Sequence, residues 1–448
     1  MDSRSTASIG GLAALAVAAA GLTVTAPPAS GAASASGLVP GECRVVRMKQ
    51  AAGFRDGSII DLERVGDQVL YYGNGFTGPR DRERQRAFLW SGLRAEPQMI
   101  GPRAKRYAYV VALELTESGM VNGTAESRDG SIARSWVMDL ATGDLQWYDV
   151  DSGPRGEDHG FTWIRRIDDA GAGAGTAVRN DDGETEPGTD AVGFDDPGAQ
   201  MEFLTHPVDY LESGAFGINN LGQRVGYYAD EFFYPEEQFW TIWQPSVWEA
   251  DGSRTVLPTP YGIEGFPRVI EDDGGIGGAI AVGDTPETSH VEAGYWPDPE
   301  TNIGLGLLPG GDYSEAYGGD AAGHLTGLAN RRSESRFARH GYVDHTFWWA
   351  PETGEGRIRV LPSVYGDRRD LGWRTWVAGA GHAVDSETDR AGTTTHVGFD
   401  GRRLVFAPTV YVNASACGRE VTTSHELPAD GRRDPGSLLR DWKRTALD

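Results

Sequence analysis

The sequence predicts an all-β protein: a β-propeller of about seven four-stranded blades, its ring closed by the N- and C-terminal segments. Three observations predict it. Turn glycines recur about fifty residues apart, at Gly66, Gly119, Gly171, Gly222, Gly274 and Gly323, with a weak further copy at Gly381. Behind each turn comes an aromatic run, "RAFLW", "RSWVM", "AVGFD", "PSVWE", "AGYWP", "TFWWA" or "HVGFD". The 448 residues also include 62 Gly and 13 Trp, a composition suited to sheets joined by tight turns and packed through aromatic rings. A β-helix coil would be shorter than this repeat, and a sandwich domain would need about twice its length. Four short strands in about fifty residues make a propeller blade.

The elements follow in order. Residues 1–35 read as an export signal: Arg4 precedes the apolar "IGGLAALAVAAAGLTV", Pro27 and Pro28 close it, and "ASA" ending at Ala35 offers a cleavage site. The apolar run is short for a membrane span, so the expected location is extracellular, with no span in the mature chain. Residues 36–57 supply a closing strand, "CRVVRM", which the segment "TVYVNASAC" can pair with from the other end.

Residues 58–418 hold the seven repeats. The unit is clearest in "SGAFGINNLGQRVGYY", where Asn219, Asn220 and Gly222 form the turn from first to second strand. Small residues such as Ala172, Ala215, Gly217 and Ala316 suit the crowded neighbourhood of the axis, and the third-strand aromatics fill the space between blades. Residues 419–448 form a tail with a short helix, capped by Asp434 with Pro435 at its first position.

Cys43 and Cys417 lie near the two ends of the exported chain, and an even pair so placed predicts one disulfide. The formal net charge of −24 argues against nucleic acid or an anionic membrane as partner, since both require a basic footprint. It suits a soluble secreted monomer.

The succession of alanine, Ile-Asn, Gly turn, Val-x-Gly, aromatic strand and Leu-containing strand resembles the extracellular HAF-repeat family of bacterial proteins. The likeness is clearest around Gly222 and Gly323 and spans roughly residues 58–410. The "HAF" tripeptide itself is absent; "GAF" at Gly214–Phe216 and "RAF" at Arg86–Phe88 stand nearest to it. The resemblance implies an exported, repeat-built β protein, and it brings no catalytic residues with it.

No G-x-S-x-G elbow, H-E-x-x-H helix or phosphate loop occurs, so no catalytic residue, metal ligand or cofactor is assigned. "RNDDGETEPGTD" lacks regular calcium-loop spacing, and His340 and His345 fall on opposite faces of a strand. Departures from the repeat are better pointers, because binding residues gather on loops carried by a rigid scaffold. One insertion, "ADEFFYPEEQFWTIWQ", offers Phe233, Tyr234, Trp240 and Trp243 as stacking groups for sugar rings. Those aromatics equally suit lengthened strands packing on a neighbouring blade. The other, "NRRSESRFARHGYVDH", offers Arg332 and Arg336 as an anion site or as a solvated loop. Three readings remain: a non-catalytic module binding polysaccharide or cell wall, a hydrolase or lyase working at the channel, and a surface protein binding another protein.

Overall fold

The computed structural model describes most of residues 44–426, leaving aside short internal stretches and the longer one at 362–390. The export signal, Cys43, the weak copy at Gly381 and the predicted tail helix lie outside the described residues.

After β1 (Arg44–Arg47), the chain runs through successive antiparallel meanders. The first is β2 (Asp56–Val65), β3 (Gln68–Thr77), β4 (Arg84–Trp90) and β5 (Gln98–Ile100). Next come β6 (Tyr107–Leu115), β7 (Met120–Ser127), β8 (Ala133–Asp139) and β9 (Leu145–Tyr148). Then follow β10 (His159–Ile167), β11 (Gly173–Arg179), β12 (Thr189–Phe194) and β13 (Glu202–Phe203). The fourth meander is β14 (Glu212–Ile218), β15 (Arg224–Phe233), β16 (Phe239–Trp248) and β17 (Arg254–Val256). The fifth is β18 (Gly262–Ile270), β19 (Ile276–Val282), β20 (His290–Asp298) and β21 (Thr301–Gly304). The sixth is β22 (Ser314–Gly319), β23 (Leu325–Arg332), β24 (Tyr342–Trp349) and β25 (Arg357–Val360). Last come β26 (Ala391–Asp400), β27 (Arg403–Val412) and β28 (Arg419–Thr422).

These sheets are the blades of a β-propeller. The turn glycines sit where the repeat places them, between first and second strands, and Gly66, Gly119, Gly171, Gly222, Gly274 and Gly323 all have φ between 59° and 86°. A side chain is strained there, which is why the sequence repeats glycine. The third strands bury Trp90, Trp136, Trp248, Trp296 and Trp349 almost completely, so aromatics at this repeat position form the core.

The first described strand shares a sheet with two late ones. β1 pairs with β27, Arg44 to Val412 through Arg47 to Thr409, and β27 carries β26. Tyr411 and Cys417 pack with Trp348, Ala350 and Leu361, which brings this sheet against the sixth meander. The chain after residue 418 opens with a strand: β28 extends the sixth meander by pairing with β25. Beyond it, Ser424 exchanges backbone hydrogen bonds with Leu307, and His425 Nδ1 lies 2.7 Å from the buried Glu292 carboxylate. Among the described residues no helix is long and apolar enough to cross a membrane.

Candidate functional site

Among the described residues, the inner strands of the first six meanders share a β-bulge at the same repeat position. The pairing between first and second strands slips between Ile59 and Asp61, Ala112 and Glu114, Ile164 and Arg166, Ala215 and Gly217, Pro267 and Val269, and Ala316 and Gly318. Such a bulge bends a strand and re-aims its side chains. Opposite each bulge the second strand has a glycine: Gly73, Gly123, Gly175, Gly226, Gly278 or Gly327. A Cβ at any of these would lie 1.9–2.1 Å from a carbonyl oxygen of the first strand, so the close approach admits only glycine.

The residues just past the bulges, five positions before the turn glycines, are Asp61, Glu114, Arg166, Gly217, Val269 and Gly318. All six line one cavity of about 150 Å³ at the end of the channel where the first-to-second-strand turns gather. The cavity wall also includes Glu63, Glu117, Asp168, Asp169, Asn219, Asn220, Glu271 and Asp272.

Arg166 anchors the wall. Its Nη1 donates to Glu114 Oε1 at 2.7 Å, and Nη2 reaches the Tyr317 carbonyl at 3.5 Å. The second oxygen of Glu114 accepts from Ile167 N–H at 2.6 Å. Asp61 accepts from the N–H groups of Leu62 and Leu115, both at 2.9 Å. Burial pushes the Asp61 carboxyl up to about 6 despite the opposing charge of Arg166. Glu114 is pushed up to about 7, again mainly by burial, with Arg166 opposing. Glu63 is raised well above the ordinary range by burial and by crowding from Asp61, Glu117, Glu271 and Glu114. Burial acts to lower Arg166, but Glu114 and Asp61 outweigh it and hold the guanidinium charged.

A hydrogen-bonded girdle runs around the rim. Asp169 Oδ1 accepts from Ser118 N–H, Asn220 Oδ1 from Asp169 N–H, and Asp272 Oδ1 from Asn220 N–H, at 2.8–2.9 Å. Each turn thus reaches back to its predecessor. Asn220 Nδ2 donates to both Asp169 Oδ2 and Asp272 Oδ2 at 2.9 Å, so one amide separates two carboxylates.

Deeper in the channel the bulge residues themselves meet. Arg165 and Arg268 lie over the Phe216 ring, at 5.8 Å and 4.8 Å from its centroid. Arg268 Nε donates to Glu315 Oε1 at 2.8 Å, and the hydroxyls of Tyr313 and Tyr317 donate to the same carboxylate. This layer places side chains from four neighbouring inner strands across the axis.

The described residues singled out in the insertions belong to the opposite end of their blades. Antiparallel strands put the second-to-third-strand connections at the opposite end of each blade from the turns. Phe233 and Trp240 fall in the far half of the long β15–β16 hairpin, Phe233 opposite Phe239 and Trp240 opposite Phe232. Tyr234 and Arg336 are outside the described residues. Trp243 is a core residue: it is buried, and its ring lies 4.9 Å from Tyr227 and 4.3 Å from Phe266, centroid to centroid. That placement matches the strand-packing reading of the insertion at this position. Arg332 ends β23, exposed, paired with Tyr342. The carboxyls of the cavity were not singled out by sequence. Their signal was the repeat phase, one residue five places before each turn glycine.

No protein family matches the sequence, and no curated protein matches it. Solved structures of low similarity do. The β-propeller domain of the Trilobed protease from Pyrococcus furiosus is 14% identical with a TM-score of 0.48, over 85% of this chain and 99% of that one. Pyrococcus horikoshii acylaminoacyl peptidase is 12% identical with a TM-score of 0.46, over 78% of this chain and 52% of that one. The present chain therefore spans about half the length of that peptidase. Oligogalacturonate lyase from Vibrio parahaemolyticus is 11% identical with a TM-score of 0.44, over 82% and 93%. At such values no activity transfers, and the fold rests on the sheets described above.

Proposed function

We propose that the protein is an exported binding module that holds the end of an extracellular polysaccharide or cell-wall chain in the cavity at the turn face. One observation carries the reading: six successive inner strands deliver their bulge-directed residues to a single cavity rich in carboxyl and amide groups. Such groups hydrogen-bond hydroxyls and amines. The volume decides the mode of binding. About 150 Å³ falls below the roughly 300–1,000 Å³ of pockets for drug-sized ligands. With Arg165, Phe216, Arg268 and Tyr317 lying deeper in the channel, the cavity suits a chain end rather than a threaded polymer. Export after cleavage near Ala35, a Cys43–Cys417 disulfide and closure of the ring by the β1–β27–β26 sheet belong to the same proposal. So does a supporting contact from the insertion face through Phe233, Tyr234, Trp240, Arg332 and Arg336.

A second reading has its own support. Asp61 and Glu114 are pushed up to about 6 and about 7, mainly by burial, which suits general acids at neutral pH and hence a hydrolase or lyase at the channel. One experiment separates the two. The purified protein is mixed with insoluble chitin, cellulose and bacterial cell wall, and soluble sugar is assayed in the same tubes. Retention without sugar release, weakened in Asn220→Ala, is expected. Sugar release would establish the enzyme instead, and neither retention nor release would remove both readings.

A further inference from the structure

Within the binding reading just given, we propose that the group held in the cavity is cationic: the ammonium of a free amino sugar rather than its neutral N-acetyl form. Among the described residues, the wall contains Asp61, Glu63, Glu114, Glu117, Asp168, Asp169, Glu271 and Asp272, against the single cation Arg166. Arg166 is already committed, since Glu114 takes its Nη1 at 2.7 Å. The rim carboxylates of Asp169 and Asp272 are served by the Asn220 amide and by backbone N–H groups.

Glu63 is different. Its Oε2 is sealed from water and has no hydrogen-bond partner, although Glu63 belongs to the cavity wall. An orphaned carboxyl oxygen in a site of like charges carries a desolvation penalty that a donor would remove. An ammonium supplies three donors together with the missing positive charge. A hydroxyl supplies one donor and leaves the crowding of Glu63 by Asp61, Glu117, Glu271 and Glu114 as it was. A metal ion fits less well: among the described residues no group of three or more His, Cys, Asp or Glu side chains is disposed to hold one. Asn220 shows the same logic in small, since a nitrogen donor already sits between two carboxylates at the rim.

Ammonium binding beside protonated carboxyls must drive protons off them, because the cation favours their charged forms. The test is calorimetric titration of the purified protein at pH 6, in two buffers of different ionisation enthalpy. The probes are the tetramers of glucosamine and of N-acetylglucosamine. The glucosamine tetramer is expected to bind at least about tenfold tighter, a difference of about 1.4 kcal/mol, with net proton release and with weakening by added salt. In Glu63→Gln, with folding checked by circular dichroism, the preference for the glucosamine tetramer is expected to shrink, and an unchanged preference would overturn the assignment. Equal affinity for the two tetramers would overturn the charge assignment and leave end-binding standing. Displacement of the glucosamine tetramer by calcium at constant ionic strength would overturn it in favour of a metal ion. If neither tetramer bound, the amino-sugar inference would fall, and retention on cellulose or cell wall would decide the broader reading by itself.

Discussion

Asp61 and Glu114 show how one position in the repeat changes chemistry without changing structure. In other blades the same position holds Gly217, Val269 and Gly318, which need no partner. As carboxyls, Asp61 and Glu114 need Arg166 and backbone donors, and burial still pushes them up to about 6 and about 7. Their folded values lie above the unfolded ones, so the folded state holds more protons between the two. The stability they give is full below about pH 4 and is lost as pH rises through about 6 to 7. Urea unfolding at pH 5 and pH 8 is expected to show lower stability at pH 8. In Asp61→Asn that difference should shrink; an unchanged pH slope would show that the carboxyl titrates normally.

At the scale of the element, the inner strand and its partner form a device repeated six times: a bulge, a facing glycine and a turn glycine. "Val-x-Gly" is legible in the sequence as a recurring string, yet its reason appears only in the pairing register. Gly226 faces the bulge of β14, where a Cβ would fall 1.9 Å from the Gly214 carbonyl oxygen. That obstacle is backbone, so no side-chain rotation relieves it. Gly226→Ala is expected to cost more than about 3 kcal/mol, the range reserved for overpacking and backbone strain. Gly143→Ala is the control: this turn glycine has a φ of 78°, but no atom lies within 4 Å of its added Cβ, so φ strain is its only cost, whereas Gly226 faces the backbone clash. Denaturant midpoints of the two variants check the prediction, and equal losses would refute the bulge argument. The β15–β16 hairpin makes the converse point. Its aromatic run suited either a ligand-stacking insertion or lengthened strands packed on a neighbouring blade; pairing continues from Arg224 opposite Trp248 to Phe233 opposite Phe239, and Trp243 is in the core.

For the whole molecule, stability comes from blade packing on blade packing. Separate apolar clusters join neighbouring sheets, as where Val137 and Tyr148 meet Ile164, Ile167 and Phe194. If the proposed Cys43–Cys417 disulfide forms, reduction is expected to lower stability by about 2–4 kcal/mol without abolishing the fold. Far-ultraviolet circular dichroism with and without reductant checks this, and complete unfolding on mild reduction would overturn the picture of a ring held mainly by packing.

By itself the sequence determined the β class, the repeat length, the turns and the buried aromatic strands, because all of these are local: periodicity, glycine φ and hydrophobic runs are written within one blade. It also pointed to the pairing of β1 with β27, through the strand-like segments beside the two cysteines. The cavity was decided by tertiary structure alone. Asp61, Glu114 and Arg166 lie more than a hundred residues apart from first to last and share no motif. Only the packing of successive blades side by side brings them to the same wall, where burial and mutual charge give them properties none has in its own strand.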